Sequence, residues 1–238
     1  MKTVIDIVLL IIIVLCTWNG YKRGLIGGLA GILAIVVALL GGSLLSSAFS
    51  HEVIPALEPF VGGYVDSQEN RVDIMEKIGV GGTDYSLEDT LRRDPQLRYD
   101  YAYESFVKMG IYEKRSEELA ARAVSVSEKD GVTMPKAVTA VLCETITGVG
   151  ALVIGFLLIL ILLVAVANMI NLSFRLPNME SVDEVGGAVL GFGKGFLYCV
   201  LLSWLLSFLG LLLGHDTMNS TTLGRFFLLF DFITGSLL

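Results

Sequence analysis

The feature that constrains this chain most is an apolar run between residues 146 and 170 that contains no charged side chain. A membrane-spanning helix needs about 20 mostly apolar residues, because the hydrocarbon core is about 30 Å thick and each residue adds about 1.5 Å. The run has 25 residues, and residues 152–167 are almost entirely Leu, Ile, Val and Ala. This run therefore predicts a transmembrane helix.

Three further apolar stretches approach or exceed the same length. Residues 25–49 also carry no charge, whereas Thr3–Trp18 is shorter and contains Asp6. A fourth span is predicted from Phe196 to Leu213, after a glycine-rich approach over residues 186–195. The chain is 54% hydrophobic and 17% charged, which is more apolar surface than one soluble core can bury. We therefore expect an all-α polytopic membrane protein with about four transmembrane helices.

The N-terminus also resembles a secretory signal, because Lys2 precedes an apolar run. That run ends in Cys16-Thr17-Trp18-Asn19 instead of a cleavage site of small residues, and a second apolar span follows almost at once. We expect the first helix to be retained.

The segment His51–Thr145 has a different character from the rest of the chain. Its 95 residues hold 18 acidic and 11 basic side chains, so it carries the full net charge of −7. Apolar positions such as Phe106, Val107 and Ile111 fit short amphipathic helices. We predict a small, mostly helical domain outside the bilayer. Nucleic acid is excluded as a partner, because clustered Lys and Arg are missing.

These patterns divide the chain into four parts. We predict a hairpin of two transmembrane helices over residues 1–50, the acidic domain over 51–145, and transmembrane helices three and four over 146–214. Residues 215–238 place several aromatic side chains beside charges, which favours a helix lying in the membrane interface. A fifth, spanning helix is the alternative for this last part.

Basic residues in the short loops set the predicted orientation. Lys22 and Arg23 separate the first two spans, and Arg175 follows the third. Because such loops are usually cytoplasmic, the acidic domain and both termini are predicted to be extracytoplasmic.

The sharpest local motif is Gly20-Tyr21-Lys22-Arg23-Gly24 between the first two spans. So short a connection forces antiparallel packing, and glycine permits the tight backbone path. Lys22 and Arg23 anchor the topology in this interpretation. The alternative is that they form a site for a lipid headgroup or a partner.

A second motif is the glycine spine, which we define as Gly187, Gly191 and Gly195. Residues four apart share a helix face, and a face without side chains lets another helix backbone approach closely in lipid. We predict a helix-packing surface. A pore lined by the same face is the alternative.

Two ionisable residues lie at predicted membrane depth: Asp6 within the first predicted span, and Lys194 in the glycine-rich approach to the fourth. Charges at membrane depth are costly and point to function by default. Each lies near one end of its predicted span, so placement at the interface is expected. The alternative is a buried pair that relays protons or ions.

Motifs for catalysis or cofactor binding are missing. The three cysteines, Cys16, Cys143 and Cys199, have no C-x-x-C spacing, and neither histidine belongs to an H-E-x-x-H pattern. The sequence has no nucleophile elbow and no phosphate-binding loop. We therefore predict no catalytic residues, no cofactor and no metal site.

Several of these motifs together resemble the CvpA (colicin V production protein) family. They are Asp6, the turn Gly20 to Leu25, the sequence Val-Asp-Glu-Val-Gly-Gly at 182–187, then Gly191, Lys194 and Gly195, and Ser220 before the last apolar segment. The long polar segment between spans two and three departs from the short form of this family. The resemblance implies a bacterial inner-membrane protein linked to colicin V production or export and to envelope maintenance.

The leading hypothesis is a non-enzymatic membrane scaffold. Its expected partners are the lipid bilayer, envelope or secretion proteins, and a second copy of the chain. An oligomeric channel or transporter component is the alternative. A membrane hydrolase is disfavoured, because no nucleophile and base motif occurs.

A reporter fused after Asp100 tests the predicted orientation. Alkaline phosphatase should be active at this position and β-galactosidase inactive, because the acidic domain is predicted to lie outside the inner membrane. The reverse pattern of activities would place that domain in the cytoplasm.

Overall fold

The computed structural model describes residues 2–68, 74, 76–79, 90–91, 94–169, 180–208 and 221–230. Every regular element within these residues is helical, which confirms the predicted all-α class. The helices are α1 (Lys2–Gln68), α2 (Pro95–Lys108), α3 (Glu113–Asp130), α4 (Met134–Met169), α5 (Glu180–Phe208) and α6 (Thr222–Leu228).

Three of these helices are long and apolar enough to cross a membrane. They are the part of α1 from Thr3 to Phe49, with 47 residues, α4 with 36 and α5 with 29. Large apolar side chains remain exposed along them; in α4, for example, Leu158, Ile161 and Leu162 are each more than 60% exposed. Lipid is the solvent that such surfaces require, so the chain is a multi-pass membrane protein.

Helix α1 reverses direction at Gly24. A straight helix of 47 residues would be about 70 Å long, more than twice the hydrocarbon thickness. Gly24 instead has φ 74° and ψ −178°, outside the helical region. We call residues 2–23 α1a and residues 25–68 α1b. The apolar part of α1 therefore contains two helical segments. Together with α4 and α5, these make four candidate membrane-crossing segments.

Contacts with α5 show that these two segments form a hairpin. In α1a, Gly20 lies against Gly187, and the Cys199 thiol donates to the Leu9 carbonyl oxygen over 3.4 Å. In α1b, Gly31 lies beside Lys194. Residues further from Gly24 on either α1a or α1b therefore contact residues further from the start of α5, so α1a and α1b run side by side along α5.

Two sequence predictions of helix boundaries were wrong. The connection at Gly20–Gly24 is narrower than expected, because Gly20 to Arg23 are helical and the reversal occurs at Gly24 alone. Helix α5 begins at Glu180, 16 residues before the predicted start at Phe196. Its glycines pack against other helices and do not end the helix. Residues 170 and 209–213, the predicted ends of spans three and four, lie outside the described residues.

The chain divides into two compact units. Unit 1 comprises Met1–Phe49, Val149–Leu205 and Ser220–Leu238. Unit 2 comprises Ser50–Gly148 and Leu206–Asn219. Most of the apolar helical segments belong to unit 1, and the acidic segment belongs to unit 2.

Unit 2 has a hydrophobic core of its own. Tyr101, Phe106, Ala120 and Val138 are completely buried there. The Asp94 carboxylate accepts from the Gln96 N–H over 2.9 Å and caps α2, as expected for Asp at that position. Capped amphipathic helices around a shared core explain how this polar segment folds.

Buried Arg115 also connects elements of unit 2. Its guanidinium pairs with Glu118 over 2.6 Å and lies 5.4 Å from the centroid of the Phe208 ring. The Tyr112 N–H donates to the Ser207 carbonyl oxygen over 3.2 Å. The last residues of α5 are therefore held by the start of α3.

In unit 1, α1b and α4 cross at two glycines. A Cβ at Gly42 would lie 2.9 Å from the Phe156 backbone nitrogen, and one at Gly155 would lie 3.1 Å from the Gly42 Cα. The distance at Gly42 is shorter than real Cβ contacts, and that at Gly155 is tighter than most, so a larger side chain at either position would force the helices apart.

Helix α6 has seven residues, so at about 10 Å it is too short to cross a membrane. The Phe196 ring meets Phe227 and Phe230 edge to face, with centroids 5.3 and 5.0 Å apart. The described helix does not by itself decide between an interfacial and a spanning segment over residues 215–238. Residues 215–220 and 231–238 lie outside the described residues, and interfacial placement stays a prediction.

Replacing Gly155 by leucine should destabilise unit 1 by about 1–3 kcal/mol, because the new side chain would collide with the α1b backbone. Gly150→Leu in the same helix is the matched control, since a Cβ there meets nothing within 4 Å. Thermal unfolding in detergent measures both variants. Equal melting temperatures for the two would contradict the described contact.

Candidate functional site

The centre of the candidate site is the junction between Gly24 and Asp183. The Leu25 N–H, at the start of α1b, donates to the Asp183 Oδ1 over 2.8 Å. Asp183 is only 3% exposed although it is a carboxylate. It lies in the first turn of α5 and serves as the N-terminal cap of a different helix.

Gly24 is required by this junction for two reasons. Its positive φ is one that residues with a Cβ rarely adopt. A Cβ at this position would also collide with the Asp183 carboxylate. The reversal of the chain and the cap on α1b therefore depend on the same glycine.

The glycine spine packs against the backbone of α1a. A Cβ at Gly191 would lie 2.5 Å from the Cys16 carbonyl oxygen, and one at Gly195 would lie 3.0 Å from the Ile13 Cα. Gly20 faces the spine from the other side, where an added Cβ would lie 2.6 Å from the Gly191 Cα. In lipid the hydrophobic effect gives helices no net attraction, so van der Waals packing at such close approach drives their association.

Side chains of the turn extend this contact. The Tyr21 hydroxyl donates to the Glu184 carboxylate over 2.7 Å. The Lys22 ammonium lies 5.3 Å from the Trp18 ring centroid, and the Trp18 and Tyr21 rings stack with centroids 6.3 Å apart. Exposed aromatic and basic residues together are typical of a membrane interface.

Asp6 caps a helix. Its Oδ1 accepts from the Leu223 N–H in the first turn of α6 over 3.1 Å. The carboxylate therefore attaches the short helix to α1a, and the favourable charge at a helix N-terminus adds to the hydrogen bond.

Lys194 lies midway along α5, and its Nζ is 5.7 Å from the Tyr198 ring centroid. The same nitrogen would lie 3.1 Å from a Cβ at Gly31. Its position is deeper than the sequence predicts, because α5 begins well before Phe196. Asp6 and Lys194 have different neighbours in the structure, so these contacts give no support for a relay pair.

The structure brings most of the predicted site residues together. Asp6 and Lys194 each contact a second helix, and the junction or the glycine spine includes Gly20, Gly24, Gly187, Gly191 and Gly195. Lys22 and Arg23 are exposed beside that junction. Ser220 lies outside the described residues.

Sequence reasoning missed the role of three residues in this site. Asp183, Glu184 and Tyr21 belong to the sequence motifs, but the sequence alone predicts no role for their side chains in the site. The sequence does contain one signal, because a carboxylate in the first turn of a glycine-rich helix can accept a hydrogen bond from a backbone N–H at a helix N-terminus. Which N–H it binds depends on the tertiary fold, so the sequence alone could not name Leu25.

The arrangement is suited to packing and capping. Asp183 and Glu184 both accept hydrogen bonds from neutral donors at the turn. Within the part of the chain that the structure describes, no group of three His, Cys, Asp or Glu side chains has the geometry of a metal site. The contacts of this site therefore hold membrane helices together.

Apolar helices, a one-residue reversal and contacts between glycines define the class: a polytopic, helical membrane protein. The family model described as Colicin V production protein matches residues 5–71. The match covers almost all of α1a and α1b, so the resemblance to this family is confirmed over the hairpin. It ends before Asp183 and the glycine spine.

No curated protein matched the chain, and no solved structure did.

Removing the Asp183 carboxylate should destabilise the hairpin. Asp183→Ala leaves the Leu25 N–H without its acceptor, which should cost about 1–3 kcal/mol. Asp183→Asn should cost less, because an amide oxygen can still accept. Glu180→Ala is the control, since that residue is exposed in the same turn. Thermal unfolding in detergent ranks the variants, and a loss for Glu180→Ala as large as for Asp183→Ala would contradict the assignment.

Proposed function

We propose that this chain is a non-enzymatic, CvpA-like scaffold of the bacterial inner membrane that acts in colicin V production or export and in envelope maintenance. The observation that carries the proposal is that packing residues and net charge lie in different parts of the chain. Residues that carry the family resemblance hold apolar helices together, whereas unit 2 contains the segment with the net charge of −7. A membrane anchor that presents a charged domain fits a scaffold.

A candidate partner surface lies on α2 and α3 of unit 2. We call it the acidic aromatic face, and it comprises Tyr99, Tyr103, Glu113 and Glu117. The two tyrosine rings stack with centroids 6.4 Å apart. Burial, followed by the charge of Glu117, raises the pKa of Tyr99, and burial followed by Glu113 raises the pKa of Tyr103. Both phenols therefore stay neutral at physiological pH beside two exposed carboxylates.

Such a face favours a partner with a basic surface. Aromatic side chains are enriched in protein interfaces, and complementary charge speeds association and selects partners. The proposed partners are envelope or secretion proteins with exposed Lys and Arg. In the proposed topology, unit 2 and both termini are extracytoplasmic, which would place this face within reach of them.

The alternative of an oligomeric channel or transporter loses part of its motivation. That hypothesis used the glycine spine as a pore lining, but Gly187 and Gly191 lie against the α1a backbone in the described conformation. Lys194 remains as a charge at membrane depth. Reconstituted protein that carried ions or solutes above empty vesicles would favour the channel over the scaffold.

Photo-crosslinking in cells tests the scaffold proposal. A photoreactive residue at Glu117 should give a reproducible crosslinked protein, because this position belongs to the acidic aromatic face. Lys129, exposed at the other end of α3, is the matched control and should give much less of the same product. Absence of any reproducible adduct at Glu117, or equal adducts at both positions, would contradict the proposed face.

A further inference from the structure

Two basic side chains cover a glycine surface of α1b. Gly27 and Gly31 are four residues apart and therefore share a helix face. At Gly27 the three atoms nearest to an added Cβ all belong to Arg23, the closest at 2.9 Å. At Gly31 all three belong to Lys194, with Nζ at 3.1 Å. The Arg23 atoms at Gly27 belong to its aliphatic stem, whereas at Gly31 the nearest atom is the Lys194 ammonium nitrogen, so two basic side chains lie on one helix face about one turn apart.

These cations have no carboxylate partner in the portion of the chain that the structure describes. The two carboxylates nearest in sequence to the junction, Asp183 and Glu184, accept from the Leu25 N–H and the Tyr21 hydroxyl instead. Within the described residues, the Lys194 ammonium lies beside Gly31 and 5.7 Å from the centroid of the Tyr198 ring. Positive charge here is left without a counter-charge from the described protein.

The depth of this charge makes a counter-ion valuable. Lys194 follows Asp183 by 11 residues, or about 16 Å along α5, and Gly31 follows Gly24 by seven residues, or about 10 Å along α1b. Helical side chains point back towards the helix N-terminus, which explains how the Lys194 Nζ reaches the level of Gly31. An ammonium at that depth is costly unless something neutralises it.

We propose that Arg23, Lys194 and the Gly27–Gly31 surface bind one anionic phospholipid. Its phosphate lies between the guanidinium and the ammonium, and its acyl chains extend into the bilayer beside the two covered glycines. Arg23 is exposed and Gly27, Gly31 and Lys194 are partly exposed, so lipid can reach this position from the bilayer. Two cations against one phosphate leave an excess positive charge, which favours an anionic lipid over a zwitterionic one. This site does not depend on a protein partner of unit 2.

Native mass spectrometry of the full-length protein in detergent measures this binding. Phosphatidylglycerol should bind the unaltered protein more tightly than phosphatidylcholine. Lys194→Gln should lower the affinity for phosphatidylglycerol about fivefold, the size of effect expected for one cation paired with an anionic lipid. Lys22→Gln is the control with the same change of charge, and it should alter the affinity less than twofold, because Lys22 lies over Trp18.

A second variant separates binding from folding. Gly31→Val fills the glycine surface but displaces only the flexible end of Lys194, so the helices should still pack. It should weaken phosphatidylglycerol binding while both cations remain. Gly150→Val is its matched control in another membrane helix, where an added Cβ meets nothing within 4 Å. If Lys194→Gln fails to fold, the comparison of Gly31→Val with Gly150→Val tests the proposed lipid site instead.

Three results would overturn the proposal. The first is equal affinity for the two lipids in the unaltered protein. The second is a loss of affinity as large in Lys22→Gln as in Lys194→Gln, or as large in Gly150→Val as in Gly31→Val. The third is displacement of the lipid by millimolar inorganic phosphate, which would show that the site takes free phosphate and does not select a membrane lipid.

Discussion

The hydrogen bond from the Leu25 N–H to the Asp183 carboxylate is the interaction on which the rest of unit 1 depends. A backbone N–H at a helix start needs an acceptor, and in a membrane water cannot always supply one. Asp183 meets that need from a different helix while Gly24 turns the chain. One contact therefore caps α1b, permits the reversal and sets the register of α5 against both segments.

The alignment of α5 with α1a that this junction fixes explains why glycines dominate the contacts further along the two helices. Once Asp183 is fixed beside Gly24, Gly187 and Gly191 fall opposite Gly20 and Cys16, where only backbone fits. Helices that cannot use the hydrophobic effect gain their stability from such close approach. Gly42 and Gly155 allow a similar close approach of the α1b and α4 backbones.

Much of this fold could be predicted from the sequence. The lengths of apolar runs predict the membrane helices, and the spacing of Gly187, Gly191 and Gly195 predicts a packing face. The start of α5 could not be predicted from hydropathy, because glycines and acidic residues lower the apparent hydrophobicity of a segment that is nonetheless helical. The partners of Asp6 and Asp183 could not be predicted either, since a carboxylate does not encode which distant N–H it will meet.

Positions of charge follow the same reasoning. Lys194 would lie beside the end of a span that began at Phe196, but it is central in a helix that begins at Glu180. A boundary error of 16 residues therefore changes the interpretation of this lysine from an interfacial anchor to a charge at membrane depth. The segment with least apolar character therefore holds several residues of the candidate site.

The reversal of the chain at Gly24 is the central claim, and one distance tests it most directly. Spin labels at Leu10 and Leu40, both exposed, would be attached to a protein whose native cysteines are replaced, and pulsed electron resonance would measure their separation. A hairpin predicts about 15–30 Å, because both positions lie at similar depth on helices packed with α5. A separation of about 45 Å, the length of 30 residues of straight helix, would contradict the account.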